Sequence, residues 1–246
     1  MQHNNTAYLL VSHGSSDPRP DVAMQQLAQL IREKLPQGEN LVGFATLEAN
    51  VQPLHLQIQD FAHRVQVVGC KILEIIPLFL LPGVHVMTDI PTEIALAKQV
   101  IDGGMTIKLH PYIGSYPHLE KFVARMITTI KSDISILLAH GSRRPGSHTP
   151  IENIAANVGA VTAYWSVDPS LEARVQELIA SGYQQIVIFP YFLFRGGITD
   201  AIAQATERLK LQFPSVTFQL AQPLGTSREF ADLIWDFIQQ EENVFG

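Results

Sequence analysis

The feature that most restricts the fold of this chain is an internal repeat. "LLVSHGSSDPRP" at 9–20 and "ILLAHGSRRPGS" at 136–147 each drive an apolar run into His-Gly-Ser, which sets His13 and His140 127 residues apart. The register continues downstream. "NVQP" at 50–53 answers "SVDP" at 166–169 at an offset of 116, and "PLFLLPG" at 77–83 answers "PYFLFRG" at 190–196 at an offset of 113. A shrinking offset means the same elements joined by shorter connections. Each half must then bury a core of its own, within a length ordinary for one domain.

The element type follows from periodicity. In "PLHLQIQDFAHRV", Leu54, Ile58, Phe61 and Val65 recur at three- and four-residue steps, with Pro53 suited to a first helical turn and Gly69 to a stop. Strands are expected at 7–12, 41–47, 71–80 and 105–110, separated by helices near 21–35, 53–66, 89–101 and 117–130. The second half repeats the order, with strands near 134–139, 161–166, 185–193 and 216–220 and helices near 150–158, 169–181, 199–212 and 227–239. Near-continuous apolar strands joined by helices imply parallel sheets covered on both faces. The expected fold is therefore α/β, with two similar domains at 1–132 and 133–246, each a parallel sheet of about four strands. The boundary falls near "IKSD", residues 130–133.

Composition removes several function classes. A net charge of −6 without a basic block argues against a nucleic-acid partner. Cys70 is the one cysteine, so no intramolecular disulfide can form, and its apolar surroundings read as core. "MQHNNTAYLLVSHG" has no secretory pattern, and "ILEIIPLFLL" is too short for a bilayer span and contains Glu74 and Pro77. The expectation is a cytoplasmic protein with no membrane partner.

In open parallel sheets, ligands bind beyond the carboxyl ends of the strands. In the first copy, strand one ends in His13, strand two in Glu48, and strand three runs through "LLPG" to His85. Each residue alone reads as a loop hydrogen-bonder, a solvated carboxylate or a helix cap. Together on one edge, two imidazoles and a carboxylate suit a first-row divalent metal with positions left open. By the motif offsets, the second copy keeps His140 but replaces Glu48 by Tyr164 and His85 by Ile198, so it lacks the set. No phosphate loop, dinucleotide fingerprint or nucleophile elbow is present.

"LLVSHGSSDPR", "LEANVQPLHLQIQDF" and "IIPLFLLPGVHVMTDIP" resemble the sirohydrochlorin chelatases of the CbiX/SirB class, in the fused two-copy form. The resemblance implies a chelatase-like bilobal fold and ATP-independent insertion of Co2+ or Fe2+ into sirohydrochlorin, for siroheme or cobalamin synthesis. It carries the metal-binding and catalytic roles onto His13, Glu48 and His85, with no cofactor beyond the substrate metal. Sirohydrochlorin bears many carboxylates. Ser15, Arg143 and Arg195 are therefore expected to bind substrate, with the degenerate second copy forming part of the cleft. Arginine forks suit carboxylates. A complete internal repeat also suggests a monomer with an internal pseudo-two-fold. The alternative is a non-catalytic metal or tetrapyrrole carrier using the same cleft; a metal-dependent hydrolase is a weaker one.

Overall fold

The computed structural model describes residues 6–35, 41–101, 104–144 and 146–244, with side chains described as far as 240. Residues 1–5 of the N-terminal stretch discussed above lie outside the described residues. The first copy runs β1 (Thr6–Ser12), α1 (Arg19–Arg32), β2 (Val42–Thr46), α2 (Leu54–Val67), β3 (Ile72–Pro77), α3 (Ile90–Lys98), β4 (Thr106–Leu109) and α4 (Pro117–Thr128). The second runs β5 (Ile134–Ala139), α5 (Thr149–Asn157), β6 (Val161–Tyr164), α6 (Leu171–Ala180), β7 (Gln185–Pro190), α7 (Gly197–Gln212), β8 (Thr217–Leu220) and α8 (Arg228–Val244). Every expected strand and helix is present. Among the described residues, no helix is long and apolar enough to cross a membrane.

The strands form two four-stranded sheets, ordered β2-β1-β3-β4 and β6-β5-β7-β8, and every pairing is parallel. β1 is buried along its whole length, as expected of a strand covered on both faces. Its neighbours run on in opposite directions along the chain, with β2 on one side and β3 on the other. That reversal creates a crevice outside the carboxyl ends of β1 and β3, the usual ligand position in such sheets.

The packing boundary departs from the repeat boundary expected at 132/133. The compact units are Met1–Pro117 with Thr226–Gly246, and His118–Gly225. Each unit thus contains the last helix of the other copy. In the first unit α8 buries Phe230, Ile234, Phe237 and Ile238 at helical spacing. Trp235 meets the Tyr8 ring edge-on at 5.6 Å, and Phe237 lies 5.1 Å from Tyr116 and 5.8 Å from His110. Ion pairs Lys34–Asp232 and Glu33–Arg228 join the same helix to the end of α1. In the second unit α4 buries Leu119, Phe122, Val123 and Ile127, and Glu120 accepts from Asn157 at 2.8 Å. A repeat read from sequence records ancestry of the elements; it says nothing about which sheet an amphipathic helix covers.

Glu74 interrupts the apolar run of β3 and is 2% exposed. His110, just past β4, bonds its carboxylate through Nε2 at 2.8 Å, and Lys108 stands 3.6 Å away with its stem partly in solvent. The register places Tyr8, Glu74 and Lys108 side by side across three strands. A carboxylate this deep is tolerable only while hydrogen-bonded. His110→Ala should therefore cost about 1–3 kcal/mol, as when a buried acceptor loses its hydrogen-bond donor. Denaturant unfolding of the full chain measures it.

Candidate metal centre

The three residues anticipated from sequence come together at the crevice of the first sheet. One ligand atom from each of His13, Glu48 and His85 lies within 4.8 Å of the others, and among the described residues no other such cluster occurs. His13 Nε2 is 3.9 Å from one Glu48 oxygen and His85 Nε2 is 3.9 Å from the other. The imidazole rings stand edge to face with centroids 4.8 Å apart. Phe79 lies 6.4 Å from one ring and 6.3 Å from the other. Two atoms each about 2.1 Å from one ion can be at most about 4.2 Å apart, so modest side-chain rotation closes this set on a metal. His13 and Glu48 side chains are both 54% exposed, which leaves the centre open to an arriving ion.

Backbone geometry builds two of the three positions. Leu47 N–H donates to Ser12 O at 2.9 Å and Glu48 N–H to His13 O at 2.8 Å, extending the β1–β2 ladder one step past each strand. The loop then turns through Ala49, at φ 57°, a left-handed conformation that a side chain rarely adopts. Gly14 has φ +91°, and a Cβ there would stand 2.0 Å from the Glu48 carbonyl oxygen. Only glycine lets the two loops approach so closely. Beyond it, Ser15 Oγ accepts from Asp17 N–H at 3.1 Å. Asp17 in turn accepts from the Arg19 amide and guanidinium, which hold its carboxyl down to about 2. Ser15 is thus already engaged in holding the loop.

His85 lies past the end of β3, on the connection into the next helix, and the strand itself stops short of the expected 80. β3 ends at Pro77, and His85 begins a π-helical turn, His85–Asp89, that leads into α3. Ile90 N–H closes that turn on His85 O. Pro91 explains the widened turn. It has no N–H to donate, and its ring crowds the carbonyl four residues earlier, so a tight α-turn is disfavoured just before it. The turn also brings Asp89 Oδ2 to 2.8 Å from His85 Nδ1. The sequence reading missed Asp89; its signal was the four-residue spacing in "HVMTD", which puts both side chains on one helical face.

The second unit departs from the expected correspondence at one position. Strand register pairs Ser12 with Thr46 and Ala139 with Tyr164, while Ser166 N–H donates to His140 O at 2.9 Å, as Glu48 does to His13. Ser166, not Tyr164, therefore occupies the Glu48 position. The motif offset misled because the β6–α6 connection, 165–170, is shorter than the β2–α2 connection, 47–53, so "SVDP" lies closer to its strand end than "NVQP" does to its own. Tyr164 is instead buried and stacked on His148 at 4.0 Å, and burial pushes its hydroxyl pKa up. His140 Nδ1 contacts Gly141 O at 3.1 Å and Ser166 Oγ at 3.3 Å. Ile198 lies in the first turn of α7. Arg143 is exposed, and exposed Arg195 donates to Gln222 Oε1; both belong to the second unit.

A family model described as CbiX matches twice, over residues 7–130 and 135–241. The chain belongs to the CbiX family. This CbiX chain is 24% identical over 172 residues to a sirohydrochlorin cobaltochelatase of Priestia megaterium, covering 64% of the chain and 56% of that protein. It is 27% identical over 118 residues to a chloroplastic sirohydrochlorin ferrochelatase of Arabidopsis thaliana, covering 44% of the chain and 52% of that protein. The chain thus spans about half the length of these curated relatives. Its fold resembles SirB from Bacillus subtilis with Fe3+, at a TM-score of 0.74 and 20% identity over 96% of this chain and 95% of that one. It also resembles CbiX, the terminal enzyme for biosynthesis of siroheme in denitrifying bacteria, at a TM-score of 0.63 and 20% identity over 95% and 98%.

Gly14→Ala should displace the Glu48 loop, because neither the positive φ nor the space admits a Cβ. The expected result is a loss of more than about 1 kcal/mol in stability, together with weaker Co2+ binding by titration calorimetry.

Proposed function

We propose that this chain inserts Co2+ or Fe2+ into sirohydrochlorin without nucleotide hydrolysis. The observation that carries the reading is the convergence of two imidazole Nε2 atoms and one carboxylate at the crevice of the first sheet. The family's named relatives support the substrate. In this reading His13, Glu48 and His85 hold a partly dehydrated metal and leave coordination positions for pyrrole nitrogens. Val51, three residues after Glu48, and Val84 and Met87, beside His85, are exposed apolar side chains suited to the flat face of a macrocycle.

Insertion releases two pyrrole protons as the metal enters, and charge balances when two N–H bonds break for each M2+ bound. A group that lets go of the metal is free to take a proton at the same place, so His13 or Glu48 serves as acceptor. Ser15, Arg143 and Arg195 are the residues proposed for substrate carboxylates. The same reading places the protein in the cytoplasm as a monomer, acting in siroheme or cobalamin synthesis.

Turnover separates this function from a carrier. Catalytic protein mixed with excess sirohydrochlorin and Co2+ should yield many equivalents of metallated ring by absorbance; a halt at one equivalent identifies a carrier. His13→Ala should lower turnover at least about a hundredfold, through lost ligation and acid–base help. His140→Ala should cost far less, since Ser166 and Ile198 offer it no ligand partners. Equal losses in two folded variants would refute the assignment.

Metal affinity should also fall between about pH 8 and about pH 5.5, a range bracketing free imidazole, because protons compete with the ion for ring nitrogens. A flat calorimetric profile would speak against histidine ligation.

A further inference from the structure

Two histidines face the centre, and they are held by different acceptors. His85 Nδ1 meets the Asp89 carboxylate at 2.8 Å, whereas His13 Nδ1 meets only the Gly14 carbonyl at 3.2 Å. The His13 contact is a property of the loop, because His140 makes the same one to Gly141 at 3.1 Å without any ligand set around it. The His85 contact is made within the π-helical turn His85–Asp89, between its first and last residues. Resting on the proposed chelatase reading, we propose that Asp89 is a positioning residue that makes His85 the anchoring imidazole for the substrate metal and leaves His13 the exchangeable one.

The physical argument concerns the far nitrogen. To bond a carboxylate, Nδ1 must carry the proton, so the Nε2 lone pair points away from Asp89. Nε2 is also the atom 3.9 Å from Glu48. A charge-assisted bond fixes the ring more tightly than a neutral carbonyl does and pushes electron density toward the donor nitrogen. A chelatase must grip its metal and then surrender it. One firm and one weaker imidazole meet both needs, with the weaker bond breaking first as pyrrole nitrogens take over.

The test is Co2+ alone, titrated calorimetrically into the full chain and its variants at one pH above the imidazole range. Asp89→Ala should weaken Co2+ binding about 10- to 100-fold, typical for loss of such a partner. Asp89→Asn keeps an acceptor oxygen without its charge and should fall between the two. On a His85→Ala background, Asp89→Ala should have no further effect, because a residue acting through His85 has nothing left to act on. An unchanged affinity in Asp89→Ala, or an equal loss with His85 already removed, would overturn the inference, as would a wild-type chain that does not bind Co2+. If Asp89→Ala does not fold, Asp89→Asn at wild-type affinity overturns it instead. Failure of the chelatase reading looks different: metal affinities follow this pattern, yet the wild-type chain metallates no sirohydrochlorin.

Discussion

The hydrogen bond from the Glu48 amide to the His13 carbonyl ties together the loops that leave β1 and β2, and the proposed centre depends on it. Parallel strands end side by side, so one more ladder step beyond each strand brings two loop residues into register. Gly14 makes the step possible by leaving room for the Glu48 carbonyl. The side chains of His13 and Glu48 then diverge from a common backbone contact toward the position where β3 and the π-helical turn deliver His85. The ligand geometry is thus inherited from sheet geometry, with little left to flexible chain.

The second copy separates scaffold from chemistry. The equivalent bond, from Ser166 to His140, is kept at 2.9 Å, and so is the contact from His140 to the following glycine carbonyl. What changes is the side chains: a hydroxyl for a carboxylate at the same backbone position and, by the motif offset, an aliphatic residue for the second imidazole. Parallel-strand pairing needs only backbone groups, so it survives substitutions that abolish a ligand set. The sheet of the second unit is intact although, among the described residues, its edge lacks the ligand set.

The cores diverge as well. Val187 in β7 stands at the position of Glu74 in β3, and Ala221 stands just past β8 where His110 stands past β4. The first sheet therefore accommodates a buried, hydrogen-bonded carboxylate that the second replaces with apolar packing. It does so beneath α8, the helix that the order of repeats assigns to the other copy. Burial of Phe230, Ile234, Phe237 and Ile238 is indifferent to ancestry, since apolar area counts wherever a sheet face is open.

Local sequence determined the element order, the all-parallel sheets and the strand-end placement of His13 and Glu48, because hydrophobic period and turn residues act within a few positions of one another. The candidate triad was legible for the same reason: successive parallel strands present their carboxyl ends at one edge. Tertiary structure decided the rest. Motif spacing could not reveal that a shorter loop puts Ser166 rather than Tyr164 opposite His140, since strand register is set by backbone pairing across the sheet. Nor could it reveal that His85 rides a π-helical turn, a geometry that arises where Pro91 denies the helix a donor, although the four-residue spacing to Asp89 was there to be read. The exchange of α4 and α8 was likewise beyond reach, because an amphipathic face specifies that a helix must be covered and leaves open which sheet covers it.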